Sequence, residues 1–247
     1  MNIILNPAFE SLRAFVETVP QIFEKEGRTI YKDRNEIKVF SVGSTDLNVK
    51  RYKIPMLFNR FIYTFFRQSK GIRAFEYPQQ VLEKGFETPE PIAYIEIKKW
   101  GMIHYSFFIS VQSPYTHTFY EFGNATAEQY KEVAKAFANY TAKLHDAQIY
   151  HKDYSPGNIL FDKIDGEYHF SLVDINRMSF GEVSMQKGCA NFARLWGETG
   201  FFELLATEYA KARGLDAKEC IRLVLDARKK FWIKFRKKHV VKFNLDI

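Results

Sequence analysis

The run from Thr126 to Asp174 restricts what this chain can fold into more than any other part of it. Thr126 and Gln129 fit a capping box, in which a hydroxyl and a side-chain amide satisfy backbone donors left free at a helix start. Tyr130, Val133, Ala134, Phe137, Thr141 and Leu144 then recur at the spacing of one helix face. The predicted helix delivers the chain directly to His151-Lys152-Asp153-Tyr154-Ser155-Pro156-Gly157-Asn158-Ile159-Leu160, where an acid and an amide stand five positions apart with a Pro-Gly turn between them. Two short strands are predicted next, 158–161 and 169–173, around a turn at Asp165-Gly166, and the second runs into Asp174.

A carboxylate and a carboxamide on one short loop suit phosphoryl transfer. A hydroxyl is a poor nucleophile and a nucleotide's phosphates repel what approaches them, so this chemistry is catalysed mainly by positioning and charge neutralisation. Asp153 can accept the hydroxyl proton, the amide oxygen of Asn158 is a hard ligand suited to magnesium, and Asp174 can hold a metal from the other side. Taken alone, the same residues are also compatible with an accidental Asp-x-x-x-x-Asn, an ordinary turn at Pro156-Gly157 and a helix cap at Asp174.

The first half of the chain reads differently. Strands are predicted over 28–31, 36–42 and 47–52, separated by Lys32-Asp33-Arg34-Asn35 and Gly43-Ser44-Thr45-Asp46, which makes an antiparallel meander. Between Pro55 and Gly85, Phe58, Phe61, Ile62, Phe65 and Phe66 recur at helical spacing, and Ala74, Tyr77, Val81 and Leu82 continue it, with Pro78 able to bend or divide the helix. Thr88-Pro89-Glu90-Pro91 ends that segment, and strands over 92–98 and 102–111 are predicted around Trp100-Gly101. From Ala190 to the end the pattern predicts successive amphipathic helices. With 247 residues, 46% hydrophobic and 26% charged, the chain can bury a real core. The expected fold class is α+β and bilobal: an N-terminal lobe, residues 1–111, with an antiparallel sheet and one main helix, then a mostly helical C-terminal lobe, residues 112–247.

The order long helix, His-Lys-Asp-x-x-x-x-Asn, strand pair and Val173-Asp174-Ile175-Asn176 resembles the eukaryotic-like protein kinase fold. The resemblance implies that Asp153 is the catalytic base and that Asn158 and Asp174 bind magnesium. Such a fold also supplies a strand lysine and a helix glutamate, and Leu47-Asn48-Val49-Lys50 and Ala74-Phe75-Glu76-Tyr77 resemble both. Lys50 would then pair with Glu76 over the α- and β-phosphates of ATP. Lys53 competes for the part, and either lysine can equally be a solvated strand residue, with Glu76 a helix-surface acid. The adenine-contacting hinge falls near Ser110–Ser113, with Val111 as its candidate.

Departures from that pattern are informative. Lys32-Asp33-Arg34-Asn35 stands where a glycine-rich loop is usual, so that side chains of Lys32 or Arg34 would have to replace backbone cradling of the phosphates. Lys152 replaces the usual Arg, Asn176 replaces the usual glycine, and no Ala-Pro-Glu follows Asp174 to grip a peptide. VKRYK, RAFEY with the run from Leu82 to Pro91, HKDYSPGNILF and VDINRM are most similar to the bacterial lipopolysaccharide core kinases, which phosphorylate Kdo or heptose. The resemblance covers residues 25–200 or so. It implies ATP and Mg2+ as cofactors and an anionic glycolipid or sugar as acceptor. A protein Ser/Thr kinase, another small-molecule kinase and a nucleotide-binding pseudokinase remain alternatives.

A formal net charge of +7 favours anionic partners without choosing among them. The mixed cationic and aromatic stretches Phe58–Lys70 and Arg228–Lys238 suit peripheral contact with the inner membrane surface, or simply place aromatics in the core and cations in water. No nucleic-acid motif accompanies them, and neither nucleic acid nor a stable protein partner is expected. Cys189 and Cys220 are read as packing residues of a reducing compartment. The start of the chain lacks a signal-peptide pattern and no window approaches a membrane span, so a cytoplasmic protein is expected. His151 is read as a support for the loop, and the other histidines show no ligand spacing.

Overall fold

The computed structural model describes residues 1–53 and 70–247, which divide into two compact units, Met1–Pro114 and Tyr115–Ile247. The predicted helical positions Phe58, Phe61, Ile62, Phe65 and Phe66, and the cationic stretch around them, lie outside the described residues.

The first unit is built on one antiparallel sheet. Its strands are β1 (Asn2–Leu5), β2 (Arg28–Lys32), β3 (Glu36–Val42), β4 (Thr45–Tyr52), β5 (Pro91–Lys99) and β6 (Met102–Val111), in the order β1-β5-β6-β4-β3-β2. The predicted meander and hairpin are both present, and β4 pairs with β6 as well as β3. Two elements go beyond the sequence expectation: β1, which pairs with β5, and helix α1 (Arg13–Ile22). Val16, Val19 and the following Phe23 are fully buried against Phe40, Leu47, Val49, Phe107 and Ile109, so α1 covers one sheet face with residues at helical spacing.

That cover explains a buried charge. Lys38 is only 6% exposed, and its ammonium donates to the carbonyls of Phe23 at 2.6 Å and Glu26 at 3.0 Å. A cation there satisfies carbonyls left over at the end of α1. Gly27 turns the chain into β2 with φ +79°, and a Cβ at that position would come within 2.7 Å of the Phe40 ring. Only glycine meets both conditions. Helix α2 (Lys70–Glu83) contains Pro78 without being divided by it, and it packs on β5 and β6.

The second unit is mainly helical: α3 (Ala127–Asp146), α4 (Met185–Asn191), α5 (Thr199–Arg213) and α6 (Ala217–Phe235). The side-chain oxygen of Gln129 accepts the Thr126 N–H at 2.8 Å, as a capping box requires. The predicted face of α3 is buried; Phe137 meets Phe119 at 4.2 Å and Phe170 at 5.3 Å between ring centroids. Short strands complete the unit. β9 (Ile159–Ile164) lies between β7 (His117–Thr118) and β10 (Glu167–Leu172), and β8 (Ile149–His151) pairs with β11 (Met178–Phe180). Asp165 and Gly166 both adopt positive φ, 50° and 86°, the backbone of a tight hairpin turn.

The helical succession stops at Phe235 rather than running to the end of the chain. The tail folds back instead: Phe243 packs on Trp196 and Trp232 at 5.1 and 4.9 Å, and Asp246 accepts from the Thr199 N–H at 2.7 Å. Arg228, 1% exposed, clamps this tail by donating to Asp246 Oδ1 and to the Gly197 carbonyl, each at 2.7 Å, while lying over the Phe202 ring. Trp232 is buried, and Lys229, Lys230, Lys234 and Arg236–Lys238 are exposed. Of the aromatics in this stretch, Trp232 serves the core, while Phe231 and Phe235 are half-buried. Cys189 and Cys220 are free and buried, and burial raises both thiols, which makes them inert packing groups.

Replacing Arg228 with Ala strands the Gly197 carbonyl and releases the tail, which should cost about 2–4 kcal/mol. Chemical denaturation will show this as a lower midpoint with an unchanged slope, whereas Lys230→Ala should stay within about 0.5 kcal/mol of the parent. Equal effects of the two substitutions would contradict the clamp.

Candidate active site

Strand register brings the predicted catalytic residues together. The loop from Lys152 to Asn158 leaves β8 and enters β9, while the segment from Val173 to Arg177 leaves β10 and enters β11. His151 pairs with Met178, and Ile159 pairs with Leu172. Both segments therefore start and finish side by side, and the Val173 N–H donates to the Asn158 carbonyl at 3.0 Å. This pairing places Asp153, Asn158 and Asp174 on adjoining segments of one unit.

Each residue is then held individually. His151 is fully buried; its Nδ1 accepts the Asp153 N–H at 3.1 Å, so its proton sits on Nε2 and is donated to the Val173 carbonyl at 3.1 Å. Burial lowers the pKa of this imidazole, which keeps it neutral. Asn158 spends its amide N–H on the Asp153 carbonyl at 2.8 Å, leaving its oxygen as the group to offer a cation. Asp174 adopts the left-handed conformation, φ 54° and ψ 42°, which aspartate tolerates better than most residues. The buried Asn176 donates to Asp174 Oδ1 at 2.6 Å, so the residue standing in place of the usual glycine orients the carboxylate. Tyr154 is buried, shares a 2.9 Å hydrogen bond with Thr141 and stacks on Phe137, which fastens the loop to α3.

Behind the loop runs a buried polar chain that the sequence pattern does not announce. Asn191 of α4 donates to the His151 carbonyl at 2.9 Å and accepts from His145 Nε2 at 3.0 Å. His145 Nδ1 then takes a hydrogen bond from the Tyr209 hydroxyl at 2.8 Å, because that hydroxyl already accepts from Arg213 at 2.6 Å. Arg213 also donates to Asp146 and to the Val183 carbonyl. Gly188 leaves room for this chain; a Cβ there would stand 2.0 Å from the Tyr209 oxygen. Two further residues reach the loop from outside the predicted set. Arg194 donates to Asp153 Oδ1 at 2.5 Å and Arg177 to Oδ2 at 3.2 Å. Arg177 lies within the VDINRM motif; Arg194 has no local signal.

The predicted nucleotide-binding residues belong to the first unit. Lys50 is half-buried on β4, with its ammonium over the Tyr52 ring at 5.4 Å, and Glu76 is half-buried on α2. Lys53 lies beyond the end of β4, exposed, and with Lys32, Arg34, Arg51 and Tyr105 it lines a cavity of about 240 Å³. Lys32 pairs with Glu36 at 3.4 Å, and Arg51 pairs with Glu24 and Glu36. Val111 ends β6, and its N–H is already donated to the Glu90 carbonyl at 3.0 Å. Any adenine contact it makes must come from its side chain or carbonyl.

Magnesium fits this donor set. Among the described residues no cluster of three or more His, Cys, Asp or Glu is found, and magnesium typically takes one or two protein oxygens and completes its shell with water and substrate phosphates. The side chains of Asn158 and Asp174 would supply two such oxygens.

A model of the lipopolysaccharide kinase (Kdo/WaaP) family matches residues 41–197. Among solved structures, one described as WaaP in complex with acyl carrier protein superimposes with a TM-score of 0.62 at 16% identity, covering 93% of this chain and 98% of that one. A microcompartment-associated aminopropanol kinase superimposes with a TM-score of 0.54 at 10% identity, covering 92% and 90%. At these identities the two likenesses show a shared kinase-like fold. No curated protein matches the sequence.

The buried chain predicts a pH dependence. Burial pushes the His145 pKa from 6.5 down to about 4. Between these values the unfolded chain takes up a proton on this residue that the folded chain refuses, so stability is full above the unfolded pKa and declines as pH falls toward 4. The total loss from His145 is about 3 kcal/mol. Thermal unfolding followed from neutral pH to about pH 4.5 should show the decline, with a shallower slope in His145→Gln; parallel slopes would remove His145 from the account.

Proposed function

From the premise that this chain belongs to the lipopolysaccharide kinase (Kdo/WaaP) family, and is therefore an ATP-using phosphotransferase, we propose that its acceptor is a sugar hydroxyl of the lipopolysaccharide inner core, on Kdo or heptose. The observation that supports the site assignment is the double strand register that joins the segments of Asp153, Asn158 and Asp174.

Asp153 orients the acceptor hydroxyl and takes its proton as the oxygen bonds to the γ-phosphorus and the bond to the departing ADP breaks. Asn158 and Asp174 would hold magnesium, which when bound would neutralise charge on the phosphates. Lys50, oriented by Glu76, grips the α- and β-phosphates. Lys32 and Arg34 stand in for the missing glycine loop, and Val111 borders the adenine. Positioning supplies most of the rate.

A cytoplasmic location follows from the use of ATP on a lipid-linked sugar, and among the described residues no helix is long and apolar enough to cross a membrane. Contact with an anionic bilayer would be electrostatic, through the exposed Lys229, Lys230, Lys234 and Arg236–Lys238, since Trp232 is turned into the core. Such contact weakens with salt. Because the WaaP neighbour was solved with an acyl carrier protein, a carrier protein is a further partner to look for here.

Labelled ATP offered with Kdo-lipid A, heptosylated core or a generic protein should label a glycolipid and leave the protein unlabelled. Asp153→Asn should lower turnover by about two to four orders of magnitude while ATP still binds. Asp174→Asn should abolish transfer and weaken the magnesium-dependent part of ATP binding. Label on protein alone would contradict the acceptor, and full turnover in either variant would contradict its residue's role.

A further inference from the structure

Asp153 is an unusually crowded base. Its side chain is 20% exposed, and each carboxylate oxygen is taken by a different guanidinium: Oδ1 by Arg194 and Oδ2 by Arg177. The two arginines come from separate places, Arg177 from the turn after Asp174 and Arg194 from the turn that follows α4. Each spends only Nη1 on Asp153, and among the described residues neither makes another hydrogen bond. A guanidinium carries five N–H donors, so most of their capacity is unspent. Both remain open to solvent, with 55% of the Arg177 side chain and 38% of the Arg194 side chain exposed. Arg194 also lies over the Phe231 ring at 5.3 Å, which holds its plane beside the carboxylate.

This arrangement is stable without an acceptor and awkward with one. A hydroxyl must approach the oxygens that the arginines occupy, and a carboxylate oxygen already held by a guanidinium has less room and fewer lone pairs to offer it. The conflict is relieved when the acceptor brings its own anion, because a guanidinium forms strong paired hydrogen bonds with a carboxylate or phosphate. We propose that Arg177 and Arg194 form an anion gate for the acceptor: a carboxylate or phosphate next to the reacting hydroxyl draws the arginines off Asp153, which frees the base and fixes the hydroxyl against it. The proposal rests on the kinase reading above and adds to it the chemical class of acceptor that the site discriminates and the residues that do so. A neutral sugar leaves the gate shut and is a poor substrate, so of the two acceptors proposed above the gate selects Kdo, which carries a carboxylate, over unmodified heptose.

The test uses Kdo-lipid A with its carboxylate free and the same molecule with that carboxylate as a methyl ester, which removes the charge and little else. The unmodified enzyme should show a KM at least about ten-fold lower for the free acid, the size expected of one charge-assisted contact. Arg194→Gln and Arg177→Gln should each raise KM for the acid with a smaller effect on the ester, and the double variant should treat the two alike, with KM for ATP within about two-fold of the parent in every case. Arg194→Lys, which keeps the charge but not the paired donors, should retain part of the preference. Circular dichroism checks that each variant is folded, as the exposure of both side chains leads one to expect. Transfer in which all variants keep the parent's acid-to-ester ratio, or transfer to unmodified heptose and not to Kdo, would overturn the gate while leaving the kinase reading intact; transfer to no sugar acceptor at all would overturn both.

Discussion

The buried side chain of Asn191 is the contact on which the site depends. Its amide nitrogen holds the carbonyl of His151 and its oxygen holds the ring of His145, so one residue of the short helix α4 joins the start of the Asp153 loop to the long helix α3. His151 then ties its two neighbours together, taking the Asp153 N–H on one ring nitrogen and giving the other to Val173. Removing the amide would leave two buried polar groups without partners, at about 1–3 kcal/mol each. The loop also has a second anchor through Tyr154, Thr141 and Phe137. Asn191 therefore bears on the position of Asp153 more than on the existence of the fold.

Cations in this chain fall into distinct tasks that net charge alone does not separate. Lys38 and Arg228 are buried and cap backbone carbonyls. Arg213 closes the polar chain behind the loop, and Arg51 is tied to Glu24 and Glu36. Arg177 and Arg194 sit on the Asp153 carboxylate, and Lys229, Lys230 and Lys234 face water. A charge of +7 is thus partly structural, and only the exposed fraction can act on an anionic partner at a distance.

How far the sequence announces this arrangement depends on whether the relevant contacts are local. The capping box at Thr126, the buried face of α3 and the Asp165-Gly166 hairpin were all legible because each is set by residues within a few positions of one another. Asp153, Asn158 and Asp174 stood out for the same reason, as a loop and a strand end of defined spacing. Helix α1 was less legible because its apolar positions are few and Pro20 lies inside it. Asn191, Tyr209 and Arg194 could not be read at all: they act on residues 40, 64 and 41 positions away, and nothing in their own neighbourhoods marks them. The pattern predicts helix for the tail beyond Phe235, but its fold is fixed by Arg228, Trp196 and Thr199 rather than by its own periodicity.

The most direct test of the account is the turnover of Asn191→Ala with the acceptor that the labelling panel identifies. The account predicts a folded protein that binds ATP normally and transfers phosphate at least about a hundred-fold more slowly, since a catalytic group misplaced by about 1 Å loses that much. Turnover equal to the parent's, in a protein shown to be folded, would mean that Asp153 does not depend on the buried chain behind it.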